Sequence, residues 1–210
     1  MREVFITFEG IEGSGKSTVS EMASKYLASK GFKIIHTFEP GDTAAGKEIR
    51  RILLDPVHKD MHPVTELLLY FADRAEHVHH LIAPALKRGE VVLCDRFTDS
   101  TMAYQGFGRG VDLKMLKDID AVARDGVWPV LTILLDLDVR AGLQRNSHAG
   151  KKDRFEMEEI AFHERVRDGF LSIARKEPER VKVVDASRPV DAVFAEVRTW
   201  IDQLLPDGSD

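Results

Sequence analysis

Eight consecutive residues constrain this chain more than any others. Gly10-Ile11-Glu12-Gly13-Ser14-Gly15-Lys16-Ser17 satisfies the pattern G-x-x-x-x-G-K-[ST]. The strand-like run Val4-Phe5-Ile6-Thr7-Phe8 stands before it, and a helical pattern begins at Lys16. Glycines at these positions let backbone N–H groups turn inward around phosphate oxygens. The helix that follows aims its positive end at the same anion. Lys16 is then placed to reach the β- and γ-phosphates of a nucleoside triphosphate, and the Ser17 hydroxyl to ligate Mg²⁺. Gly10, Glu12, Gly13, Ser14, Gly15, Lys16, Ser17 and Thr18 are therefore the expected grip on Mg·ATP. The alternative is a glycine-rich strand–helix turn with no ligand. The strand before the motif and the helix after it favour the phosphate cradle.

A loop of this kind needs a parallel sheet to carry it, and the rest of the chain supplies one. Short apolar runs at residues 4–8, 33–37, 91–94, 130–135 and 181–184 lack polar alternation, as strands covered on both faces do. Helical patterns separate them: Lys16–Ser29, Ala44–Leu54, 64–87, Leu113–Arg124, 139–145, 158–176 and 189–205. The alternation predicts a three-layer α/β sandwich around a five-stranded parallel sheet, in a single domain spanning residues 1–210. With 43% hydrophobic residues in 210, such a domain can bury a full core without disulfides. It has only Cys94, which points to a reducing compartment. A net charge of −5 argues against broad binding to nucleic acid or a membrane surface. The sequence carries no apolar run of membrane-spanning length, and its start lacks the features of a signal peptide. A cytoplasmic protein is expected. Residues 146–154 are polar and basic with Gly150 among them, and are expected to form a mobile lid-like loop.

Asp95 follows the buried run Val91-Val92-Leu93-Cys94 and is expected to hold Mg²⁺ directly or through water. A helix-capping role is its alternative. The chain has no N-K-x-D segment and no D-x-x-G after Asp95, so a guanine-nucleotide switch is disfavoured. Instead Asp95 leads into Arg96-Phe97-Thr98-Asp99-Ser100-Thr101-Met102-Ala103-Tyr104-Gln105-Gly106. This mixture of cation, hydroxyls, phenol and amide can bind phosphate, sugar and base edge together.

In these blocks the chain resembles the thymidylate kinases. The resemblance rests on Phe8-Glu9-Gly10 with the cradle, Glu39-Pro40-Gly41, Tyr70-Phe71-Ala72-Asp73-Arg74, and Asp95-Arg96-Phe97 with Ser100 and Ala103-Tyr104-Gln105-Gly106. Asp153-Arg154-Phe155-Glu156 and Phe162-His163-Glu164-Arg165-Val166-Arg167 complete it. It implies transfer of the γ-phosphoryl of ATP to dTMP. The alternatives are a kinase of another nucleoside monophosphate or deoxynucleoside, and a nucleotide-binding switch without turnover. The resemblance also implies roles. Tyr70 stacks on thymine and Arg74 meets its O4 edge, the two being one turn apart on a helix. Arg96, helped by Arg50, takes the dTMP phosphate with a planar fork that suits phosphate oxygens. Thr101 and Gln105 read the pyrimidine edge, Tyr104 packs against the deoxyribose, and Glu12 accepts from the 3′-hydroxyl. Glu39 belongs to the acceptor loop. Residues 185–189 lie beside adenine.

The cradle holds no arginine at its variable positions Ile11, Glu12, Gly13 and Ser14. By the resemblance, the charge that stabilises the transferring phosphoryl then comes from the lid, where Lys151, Lys152 and Arg154 follow Arg145. On this expectation Arg154→Ala lowers turnover far more than dTMP affinity. The family is commonly homodimeric, which implies a homodimer here. Two positions depart from the usual pattern, Phe38 and Asp42 around Glu39-Pro40-Gly41. His77, His79 and His80 invite a metal reading, but a solvated helix face is the simpler expectation. Cys94 is read as buried strand filler.

Overall fold

The structure is a computed structural model that describes residues 3–148, 154, 155 and 157–206. Among these, β1 (Val4–Glu9), β2 (Ile34–Phe38), β3 (Val91–Asp95), β4 (Leu131–Asp136) and β5 (Val181–Asp185) form one parallel sheet in the order β2-β3-β1-β4-β5. Each strand lies within a residue of its apolar run. The continuous apolar patterning has its cause in the layers. On β1, Val4, Ile6 and Phe8 enter the larger core with Leu93 and Ile133, while Phe5 enters a second core on the opposite face with Val92 and Cys94. Strands covered on both faces cannot alternate apolar with polar. Chain order reverses beside β1, so the ends of β1 and β3 open a crevice at the point where such sheets bind ligands.

The helices α1 (Lys16–Ser29), α2 (Ala44–Leu54), α3 (Pro63–His77) and α6 (Leu113–Arg124) match their patterns. The stretch read as one helix over 64–87 is interrupted. After α3 the chain passes through a π-helical turn, Val78–Ile82, into α4 (Ala83–Lys87). Pro84 explains this, since it has no N–H to continue the i→i−4 ladder. The helix α7 (Val139–His148) extends three residues into the segment expected to be a loop. Residues 151 and 152 lie outside the described residues. The helices α8 (Ile160–Lys176) and α9 (Val190–Leu204) flank β5 in sequence.

One element has no apolar stripe to announce it. Residues 98–108 form a short helix, α5 (Thr98–Thr101), that continues as the π-helical turn Met102–Gly108. Its side chains Thr98, Asp99, Ser100, Thr101 and Gln105 are all buried. Polar partners hold its first turn, and Met102, Ala103 and Tyr104 carry the rest into the larger core. Thr98 donates to Asp120, Ser100 donates to Glu9, and Asp99 takes a bidentate pair from Arg180 at 2.6 and 2.9 Å.

Candidate active site

The cradle wraps the start of α1. Gly13 stands at φ +71°, and a Cβ there would lie 2.1 Å from the Gly142 carbonyl oxygen. Gly15, at φ +90°, caps α1 and would meet nothing, so its glycine serves the backbone conformation alone. The Lys16 ammonium lies on the Ile11 carbonyl at 2.8 Å and near Ser14 Oγ at 3.4 Å. Burial, with the Arg96 charge added, pushes its pKa down to about 8. An anion at the loop would restore the charged form. Ser17 Oγ donates to Asp95 Oδ2 at 2.6 Å across 78 residues of sequence. Two hard oxygens this close suit Mg²⁺, which binds few protein ligands and completes its shell with water and phosphate oxygens. Among the described residues no group of three or more His, Cys, Asp or Glu could hold a metal ion, so zinc-type ligation finds no donor set.

Arg96 ties this loop to the polar helix. It is a non-glycine residue at φ +72°, a costly conformation that surrounding contacts must impose. Its guanidinium donates to the Gly10 carbonyl at 3.2 Å, Ser100 Oγ at 3.0 Å, Glu12 Oε1 at 3.0 Å and Tyr104 Oη at 3.3 Å. The buried Glu9 braces it from behind, accepting from Phe97 N–H at 2.8 Å and Ser100 Oγ at 2.5 Å. Burial and the nearby Asp99 push the Glu9 carboxyl up to about 8. Glu12 behaves oppositely. Burial opposes its charge, but His163, Arg96 and Lys16 together hold its carboxyl well below the usual range. The His163 ring stands 3.5 Å from Oε2, at the edge of hydrogen bonding. Tyr104 donates to Glu12 at 2.5 Å, and burial keeps the phenol protonated by pushing its pKa far up.

The opposite wall is a buried ion network. Arg74 donates from Nε and Nη2 to Glu39 Oε2 at 3.0 and 2.9 Å, from Nη1 to Asp120 at 3.1 Å, and from Nη2 to Thr101 Oγ1 at 2.9 Å. That occupies four of its five N–H donors and leaves one on Nη1 for a ligand. His77 is buried, not solvated as its place in the histidine cluster suggested. Its ring bonds Glu39 Oε1 at 3.0 Å and Thr37 Oγ1 at 2.7 Å. His79 and His80 are the solvated pair of the cluster, both exposed in their helix turn. Arg50 donates to the Pro40 carbonyl at 2.6 Å and lies over the Phe38 ring, so the departure at Phe38 provides a platform for Arg50. Asp42 accepts from Thr37 within the same turn at 2.5 Å.

These parts enclose a cleft of about 640 Å³. Its lining contains most of the expected set: Glu12, Gly13, Gly15, Lys16, Ser17, Thr18, Glu39, Arg50, Tyr70, Arg74, Asp95, Arg96, Thr101, Tyr104, Gln105 and Arg145. Gly10 and Ser14 shape the loop without lining the space. Arg145 donates to the Ala186 carbonyl at 3.1 Å, at the segment expected beside adenine. Arg154 departs from the expectation of a free lid cation. It is buried, its Nη2 lies 2.6 Å from Glu66, its Nε donates to the Leu53 carbonyl at 3.0 Å, and it does not line the cleft. Sequence reasoning assigned no role to Glu9, Glu66, Asp120 or Phe155. One signal was available: Glu66, Tyr70 and Arg74 recur every four residues and so share one face of α3.

The sequence model described as thymidylate kinase matches residues 8–197. A thymidylate kinase of Desulfovibrio desulfuricans is 48% identical over 209 residues, covering 96% of each chain. One from Desulfosudis oleivorans is 49% identical over 211 residues, covering 97% of this chain and 98% of the other. The crystal structure of thymidylate kinase from Ehrlichia chaffeensis superposes with a TM-score of 0.79 at 34% identity, covering 94% of this chain and 98% of that one. Cradle, parallel sheet and relatives agree, and the chain belongs to the thymidylate kinase family.

Proposed function

We propose how this cleft carries out its reaction, the ATP-dependent phosphorylation of dTMP to dTDP. The acceptor phosphate is already a nucleophile, so the protein's work is positioning and charge neutralisation. The cradle N–H groups and Lys16 hold the β- and γ-phosphates of ATP. Ser17 and Asp95 would hold Mg²⁺, which when bound would neutralise phosphate charge. Arg96 takes the acceptor phosphate, with Arg50 beside it. Tyr70 stacks on the base, Arg74 offers its remaining N–H to the O4 edge, and Thr101 and Gln105 meet the pyrimidine edge. Tyr104 borders the sugar and, with Arg96, keeps Glu12 anionic for the 3′-hydroxyl. Arg145 is the described cation best placed to approach ATP from the lid side.

The observation that carries this division of labour is the position of Arg96. It donates to the cradle carbonyl of Gly10 on one side and to Ser100 and Tyr104 of the acceptor wall on the other. A phosphate between those groups meets the donor's γ-phosphoryl. The chain is taken to act as one P-loop domain with residues 146–154 as its lid, as a cytoplasmic homodimer. Light scattering at working concentration tests the dimer. A coupled assay with Mg·ATP and dTMP, dUMP, CMP, AMP, GMP or thymidine tests the rest. The expected result is dTMP fastest, with no turnover when Mg²⁺ is chelated. Faster use of AMP or CMP would overturn the acceptor assignment.

A further inference from the structure

Glu66, on α3, is fully buried, and three residues converge on it. Gln105 Nε2 donates to Oε1 at 2.8 Å. Arg109 donates to Oε1 from Nε at 3.2 Å and to Oε2 from Nη2 at 3.4 Å. Arg154 Nη2 lies 2.6 Å from Oε2. Arg109 also pairs with Glu158 at 2.6 Å, so two carboxylates face two guanidiniums and the cluster is neutral. Arg154 is fixed further by the Leu53 carbonyl and, through its own N–H, by the Leu54 carbonyl at 3.2 Å. Those carbonyls end α2, where the last C=O groups have no partner within the helix. Withdrawing Arg154 toward a distant phosphate would take one of two cations from a buried carboxylate, at substantial cost.

This arrangement has a consequence for the base. A carboxylate only accepts, and a Gln amide carries donors at one end and an acceptor at the other. Amide orientation follows from the partners. With Glu66 behind it, Gln105 must turn its NH₂ inward, which leaves its carbonyl oxygen for the cleft. That oxygen matches a base whose N3 bears hydrogen, as thymine and uracil do. Cytosine presents a lone pair at N3 and would set acceptor against acceptor. A site that leaves buried polar groups unmatched rejects a ligand strongly.

We propose that Glu66 is a specificity-determining positioning residue: it fixes the Gln105 amide so that the acceptor site takes N3–H pyrimidines and refuses cytosine. Arg154 and Arg109 are the counter-ions that allow the carboxylate to be buried there. The inference rests on the reading of Gln105 as a base contact.

The test is steady-state kinetics on the full-length enzyme with dTMP, dUMP and dCMP. Glu66→Gln keeps the shape but lets the Gln105 amide turn over. The ratio of kcat/KM for dTMP to that for dCMP should fall at least about tenfold, with the dTMP-to-dUMP ratio and the KM for ATP within about twofold. Because Glu66→Gln leaves cations uncompensated, the charge-balanced double variant Glu66→Gln/Arg154→Met is measured beside it and should show the same loss. Glu66→Asp, which restores the acceptor, should recover part of the ratio. Gln105→Met separates the two levels. If it leaves the KM for dTMP unchanged, Gln105 is not a base contact. If it raises that KM while both Glu66→Gln variants keep the wild-type dTMP-to-dCMP ratio, the proposal is wrong. A fall in kcat beyond about a hundredfold in the double variant, with the ratio intact, would instead return Arg154 to the transferring phosphoryl.

Discussion

The two ends of the cleft are built from different materials. At the donor end, residues 10–17 are contiguous, and their geometry comes from backbone: Gly13 pressed against Gly142, Gly15 in a left-handed cap, and one lysine lying on the loop it belongs to. At the acceptor end, Glu39, Glu66, Arg74, Thr101, Gln105 and Asp120 come from separate elements, and partners lie 27 to 46 residues apart in sequence. Every one of these six side chains is buried. The donor end therefore spends little of the fold's stability on its side chains. At the acceptor end the residues proposed to meet the substrate are also buried in shared hydrogen bonds and ion pairs. Changes at the two ends should separate cleanly into lost chemistry and lost folding.

The largest effect is expected from Lys16→Met. It removes the charge proposed to face the transferring phosphoryl, and kcat should fall by about a thousandfold or more. Burial already disfavours the charged ammonium, so the thermal midpoint should hold or rise. A drop in Tm as large as that of an acceptor-end variant would break the comparison. Arg74→Met is the matching change at the other end. It leaves Glu39 and Asp120 buried without their shared cation, a loss of about 3–5 kcal/mol. For a chain of this size that is a fall in Tm of roughly ten degrees. The KM for dTMP should rise and the KM for ATP stay in place. Thermal unfolding and kinetics on the same samples decide both.

The same contrast explains what the sequence disclosed. The five strands were legible because each is buried on both faces and so reads as an unbroken apolar run. The cradle was legible because a backbone site leaves its signature in adjacent residues. Residues 98–108 gave no helical signal. Thr98, Asp99, Ser100 and Thr101 are buried through hydrogen bonds, and the core residues Met102, Ala103 and Tyr104 sit in a π-helical turn that does not keep the 3.6 period. His77 looked solvated for the same reason. Its partners, Glu39 and Thr37, are about 40 residues away and only the fold supplies them. Arg154 was read as a free cation because Glu66, which holds it, is one polar residue in an otherwise ordinary helical pattern.

Acid–base behaviour sharpens the comparison at the point where the ends meet. Glu9 is raised from 4.5 to about 8, chiefly by burial, and Asp73, behind the Glu39 loop, from 3.8 to about 7 for the same reason. The folded form therefore holds protons that the unfolded chain releases between about pH 4 and pH 8. Stability falls as pH rises through that window, by at most about 1.4 kcal/mol per pH unit for each group. Glu12 works in the opposite sense, but its contribution is lost only on acidification below the ordinary carboxylate range. Between about pH 5.5 and 8, within that window, Glu9→Gln should flatten the decline of Tm relative to the wild type. An unchanged slope would show that Glu9 does not carry the proton.

The smallest effect is expected from Asp42→Ala, at the rim of the acceptor loop. Asp42 is half-buried, and among the described residues its carboxylate has one hydrogen bond, from Thr37 at 2.5 Å. A single bond of this kind is worth about 1 kcal/mol. Here part of that should be recovered, because the Thr37 hydroxyl already lies 2.7 Å from the His77 ring nitrogen and can turn to it. Gly41, just before it, is held by a different carboxylate: its N–H donates to Asp73 at 2.9 Å. The loop should therefore keep its path, with Tm lower by only a few degrees and both KM values within about twofold. A rise of more than about fivefold in the KM for dTMP would put Asp42 in the acceptor-phosphate pocket. It would also show that even the rim of the acceptor end cannot be altered without reaching the substrate.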